Sequence, residues 1–151
     1  MPVADILNDK GAKVVTTVPQ AAVASASQTM HDEHIGAILV KDETGAIVGI
    51  ISERDIVHSI AEKGQSALDL SVSELMTSPV ISCATHTDIE ELMESMIGSR
   101  IRHLPVVDDG DLVGIVSIGD VVKSVVAELK WVKNALKDQV IQSAAWSTDE
   151  D

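Results

Sequence analysis

The segment GAILVKDETGAIVGIISERDIV, residues 36–57, aligns with HLPVVDDGDLVGIVSIGDVV, residues 103–122. Each stretch has an apolar run (37–40 or 104–107), a polar acidic turn containing Gly45 or Gly110, and a second apolar run. That is the pattern of a β-hairpin. Each then ends on a shared phrase, GIISERD at 49–55 and GIVSIGD at 114–120. A repeat of this kind constrains the fold strongly, because a half of about sixty residues buries too little surface to be stable alone. The two halves are therefore expected to pack together as one pseudo-two-fold unit.

Before the second hairpin, Ile89, Leu92, Met93, Met96 and Ile97 recur at helical spacing. Thr85 and Asp88 read as a capping box for that helix. In the first half Ala22, Ala26 and Met30 make a weaker stripe after Pro19. A short β-branched run precedes each helix, at residues 14–17 and 80–82, and VADIL at 3–7 resembles VSELM at 72–76, so each repeat opens on a short helical turn. Each half reads β-α-β-β-α, a mixed α/β (α+β) fold. The expected divisions are a first repeat at 1–65, a second at 70–127, a helical extension at 128–146 and an acidic, disordered tail at 147–151, with a linker over 62–70.

The core must be aliphatic, because 45% of the 151 residues are hydrophobic yet Phe and Tyr are absent. A formal charge of −13 argues against broad attraction to nucleic acid or an anionic membrane. The single cysteine, Cys83, allows no intramolecular disulfide. No apolar run has the length of a membrane span, and the start MPVADILNDK lacks a signal-peptide core. A cytoplasmic protein is expected.

In each shared phrase the serine, Ser52 or Ser117, is placed to cap a helix, and the aspartate, Asp55 or Asp120, sits at its third position. Capping alone explains an isolated S-x-x-D. The same geometry also suits an adenosine phosphate: a helix N-terminus offers N–H groups to an anion, the hydroxyl can bond a sugar or phosphate, and the aspartate can accept from ribose hydroxyls.

The paired hairpins, the openings at Ile6-Leu7 and Leu75-Met76, the phrase SRIRHLPVVDDGDLVGIVSIGDVV and the two S-x-x-D endings together resemble the tandem cystathionine β-synthase (CBS) domain pair, or Bateman module. The resemblance covers nearly the whole chain and implies a stand-alone, bacterial-type CBS pair. It implies that Asp55 and Asp120 bind ribose and that Ser52 and Ser117 lie near the sugar-phosphate. It also implies that both halves build each pocket. The Asp55 pocket would be completed by residues 78–80, including Ser78 and Val80, and by Ile101 with its neighbours through His103. The Asp120 pocket would be completed by residues 12–14, including Ala12 and Val14, and by Ile35 and Gly36. Ile50 and Ile115 would flank the bases.

Arg54, Arg100 and Arg102 are the only arginines, and all map to this cleft system, where with His103 they form a basic island suited to phosphate. The two sites should differ, since SERD carries an arginine where SIGD carries Gly119. The Asp55 pocket should be the more basic.

Other constellations are weaker. HDEH at 31–34 lacks a third metal ligand and reads as a solvated helix end, so no metal is expected. Cys83 with His86 lacks an orienting partner, and no catalytic constellation is apparent. Val122, Val125, Leu129, Val132 and Leu136 form a heptad-like seam, expected to mediate a homodimer. These features describe a non-enzymatic regulatory module that binds an adenosine nucleotide, AMP first, with NAD(H), ADP or ATP as alternatives. A downstream protein would read the signal. The competing reading is a structural dimerisation scaffold with vestigial clefts.

Overall fold

The computed structural model describes the backbone of residues 1–149 and the side chains of residues 1–145. The first half contains α1 (Val3–Lys10), β1 (Thr16–Thr17), α2 (Val23–Glu33), β2 (Ala37–Lys41), β3 (Ile47–Ser52) and α3 (Glu53–Lys63). A 3₁₀ helix over Gly64–Asp69 leads to α4 (Val72–Leu75), α5 (Ile89–Ser99), β4 (His103–Asp108), β5 (Asp111–Ser117) and α6 (Ile118–Asp149). Both hairpins lie where the repeat puts them, with antiparallel pairing from Ala37↔Ser52 and from His103↔Ser117. Gly45 and Gly110 both turn with φ of 82°, a left-handed conformation that costs glycine little.

The two halves differ at their first strand. β1 pairs in parallel with β2, but residues 80–82 form no strand, and only Cys83 makes an isolated parallel bridge, to Val106. Cys83 N–H donates to Pro105 O and Val107 N–H donates to Cys83 O. Extending this ladder toward residue 81 would need an N–H from Pro105, which proline lacks.

The expected Thr85–Asp88 capping box does not form. Asp88 is the N-cap of α5 without a side-chain cap bond, and its carboxylate pairs instead with the Met1 amino group at 3.2 Å. Thr85 donates through its amide (3.1 Å) and hydroxyl (2.6 Å) to Asp108, so its hydroxyl hydrogen is spent on the hairpin. At the other end α6 remains helical through Asp149, into the segment expected to lack structure, while Glu150 and Asp151 lie outside the described residues.

Two aliphatic clusters hold the fold, and each takes a helix from the opposite repeat. Val3 and Ile6 of α1 are buried with Ile89, Leu92, Leu104 and Val116 of the second repeat. Val72 of α4 is buried with Val23, Ile38, Val40 and Ile51 of the first. The backbone bonds are reciprocal as well. Val3 N–H donates to Thr87 O and Ile89 N–H to Met1 O, while Val72 N–H donates to Ala21 O and Val23 N–H to Leu70 O. Two glycines make the crossing close: a Cβ on Gly114 would lie 2.7 Å from Leu7 Cδ2, and a Cβ on Gly49 would collide with the Met76 thioether.

Candidate functional site

Each hairpin delivers its S-x-x-D phrase to a strand-to-helix joint. At the first joint Ser52 caps α3: its Oγ accepts from the Asp55 amide (3.3 Å), while Asp55 Oδ2 accepts from Ser52 N–H (2.9 Å) and Oγ–H (3.1 Å). The second joint repeats this, with Ser117 N–H donating to Asp120 Oδ2 (2.9 Å) and the Asp120 amide donating to Ser117 Oγ (3.1 Å). The joints differ in charge. Lys10, at the end of α1, donates to Asp120 Oδ2 at 2.6 Å and to the Ile115 carbonyl at 3.0 Å. Among the described residues Asp55 has no ion-pair partner. Sequence reasoning missed Lys10, whose role depends on α1 docking against the second repeat.

A cleft of about 540 Å³ opens beside Asp55. It is lined from the first repeat by Gly36, Ile50, Ser52, Arg54 and Asp55, and from the second by Val80, Arg100, Ile101, Arg102 and His103. All three arginines therefore reach one cleft. None of them is in an ion pair among the described residues, where the pairs are Met1–Asp88, Lys10–Asp120 and Lys13–Glu33. The strand-to-helix joint exposes Glu53 and His58 to the same space, and Thr77 and Pro79 line it from the segment after α4. Glu53, His58 and Thr77 were not legible as site residues, whereas Pro79 belongs to the 78–80 segment expected there.

Two residues expected at the Asp120 pocket line this cleft. Ser117 sits on its second-repeat wall. Gly36 lies between the joint and β4: its carbonyl accepts from Glu53 N–H at 3.0 Å, and a Cβ there would be 3.2 Å from Glu53 Oε1 and 3.5 Å from His103 Nε2. Pro79, rather than Ser78, forms the nearby wall. Ala12, Val14, Ile35, Ile115 and Asp120 lie outside the cleft lining. Ile35 packs instead against the first core, and Ile115 pairs with Pro105 in the second hairpin.

Burial holds the His103 imidazole below its ordinary pKa; the positive charges of Lys10 and Arg102 add to this, while Glu53 and Asp120 oppose it. Burial pushes the Asp120 carboxyl upward, but its hydrogen bonds from Lys10 and Ser117 outweigh that and hold it below the ordinary carboxylate range. Burial, helped by Asp108, raises the Cys83 thiol to about 11, which keeps it protonated and weakly nucleophilic near neutral pH. His34, the last residue of HDEH, is a left-handed helix cap with φ of 55°. Among the described residues no three His, Cys, Asp or Glu side chains converge as a metal site, and no helix is long and apolar enough to cross a membrane.

Residues 3–62 and 72–127 match the family model for the CBS domain. A mitochondrial CBS domain-containing protein of Arabidopsis thaliana is 34% identical over 83% of this chain, which spans 65% of that relative's length. The solved structure of a CBS-domain containing protein from Agrobacterium tumefaciens superposes with a TM-score of 0.78 at 45% identity, covering 81% of this chain and 91% of the other. The CBS domain pair of protein MJ0100, solved in complex with 5-methylthioadenosine and S-adenosyl-L-methionine, has a TM-score of 0.75 at 26% identity and covers 85% of this chain and 98% of its own.

Proposed function

The chain belongs to the CBS domain family, and from that premise we propose that it is a non-catalytic sensor that binds an adenosine nucleotide, AMP first, in the cleft beside Asp55. The observation that carries this reading is the meeting of all three arginines with an aspartate that lacks an ion-pair partner among the described residues. A guanidinium can donate two parallel hydrogen bonds to phosphate, and a carboxylate can accept from the ribose diol. A volume of about 540 Å³ lies within the range of small-ligand sites, roughly 300–1,000 Å³. The adenosine ligands of the MJ0100 pair support the same class of ligand. Occupancy signals through whichever shape or association state binds the nucleotide more tightly.

Thermal unfolding measured with AMP, ADP, ATP, NAD+, NADH and S-adenosylmethionine tests the reading. A nucleotide at about 100 times its Kd should stabilise the fold by about 2.7 kcal/mol. No stabilisation by any of them would favour a scaffold, and consumption of the nucleotide would favour an enzyme. Phosphate bound beside His103 should raise the imidazole pKa that burial has lowered. AMP binding should then raise the His103 pKa, read from its imidazole resonances in a proton NMR titration, whereas adenosine, which lacks the phosphate, should raise it less.

The C-terminal helix supports self-association. On α6, Val122, Leu129, Val132 and Leu136 are exposed along the heptad-like seam, whereas Val125 packs against the second core. An apolar stripe on so long a helix suits a second copy of the same helix, giving a homodimer. The double substitution Leu129→Asp with Leu136→Asp should shift sedimentation from dimer to monomer without lowering the melting temperature of the CBS core. A variant that sediments unchanged would remove α6 from the interface.

A further inference from the structure

The two S-x-x-D joints are built alike but are not equally available. In the first repeat the Ile50 carbonyl accepts from the Thr77 amide at 2.9 Å. At the equivalent position in the second repeat, the Ile115 carbonyl accepts from the Lys10 ammonium at 3.0 Å. The same ammonium bonds Asp120 Oδ2 at 2.6 Å. Aligning α1 with α4 through Val3↔Val72 and Leu7↔Met76 places Lys10 opposite Pro79, a residue with no charge and no side-chain donor. One repeat thus carries a cation where the other carries a neutral wall of the arginine-lined cleft.

We propose that Lys10 is the residue that decides which joint can take a nucleotide: it occupies the ribose-accepting carboxylate of the second repeat, leaving one nucleotide site per chain, at Asp55. This rests on the adenosine reading of the Asp55 cleft. Lys10 bonds both Asp120 and the Ile115 backbone, so a ribose and base entering there would have to displace it. Position 119 is glycine, so the second joint lacks a guanidinium matching that of Arg54 for a phosphate to gain in exchange. The placement of Lys10 is fixed from behind, because Val3, Ile6 and Leu7 dock α1 against the second core. Lys10 and Asp120 keep 33% and 21% of their side-chain surface exposed, so the joint is closed by this ion pair rather than by burial.

Isothermal titration of AMP into the wild-type chain, Lys10→Met, Lys10→Gln and Asp55→Ala provides the test, with circular dichroism to confirm that each variant is folded. Wild type should bind one AMP per chain. Lys10→Met and Lys10→Gln should bind two, the second more weakly, and Asp55→Ala should bind AMP about 100-fold more weakly or worse. A wild-type stoichiometry of two would overturn the role of Lys10 while leaving the nucleotide reading intact, and so would a stoichiometry that stays at one in both folded Lys10 variants. If neither wild type nor the Lys10 variants bind AMP, ADP, ATP, NAD+, NADH or S-adenosylmethionine, the adenosine reading fails and takes the inference with it.

Discussion

Expressed separately, residues 1–65 and residues 70–151 should each fail to fold cooperatively, and mixing the two fragments should restore a single cooperative transition. The cause is the exchange of leading helices. The first fragment would lose Val72, which is fully buried in its core, and the second would lose Val3 and Ile6, with 0% and 4% of their surface exposed. Each buried aliphatic side chain is worth about 1.5–3 kcal/mol, and a whole domain has a margin of only about 5–15 kcal/mol. Removing α1 therefore takes roughly 3–6 kcal/mol of burial from the second core before its lost backbone bonds are counted. Circular dichroism and thermal melts of the fragments, alone and mixed, measure this. A stable, cooperative melt of residues 70–151 alone would mean that the exchange is dispensable.

The second large effect concerns Asp55. Asp55→Ala should weaken AMP binding by about 100-fold or more, because hydrogen bonds to a charged group are worth about 1.5–3 kcal/mol each and the ribose diol offers two. The same change removes half of the capping box, which should cost about 1 kcal/mol of stability and leave the protein folded. Asp120→Ala should leave the AMP Kd nearly unchanged, since that carboxylate is already bonded to Lys10. Titrating both variants below their melting temperatures separates a ligand role from a capping role. Equal losses of affinity in the two variants would assign both joints the same task.

The repeat made the hairpins and capping boxes legible because they are local. Period-two apolar runs, a glycine in each turn and a serine three residues before an aspartate all act within a few residues of one another. The convergence of Arg54 with Arg100 and Arg102 could be inferred only by placing the halves against one another through the family resemblance. Lys10 was not legible, since its environment depends on α1 docking against the second core rather than the first. That Gly36 also lines the Asp55 cleft was hidden for a related reason: its backbone bond to Glu53 carries it toward α3, and periodicity does not encode that bond. Pro105 could have warned against a strand at 80–82, but only once β4 was known to face Cys83.

The joint that Lys10 holds is also the root of α6. Thirty-two residues of helix rise about 48 Å at 1.5 Å per residue, and their first turn contains Asp120. Val121 and Val125 pin that turn to the second core, and most of the helix beyond it is exposed. Mechanically this is a pointer with its bearing at one end. By the same rise, a tilt of about 5° at the bearing would carry the far end through about 4 Å. A rearrangement between the two cores too small to disturb their packing would therefore arrive at the tip as a displacement as large as an atom.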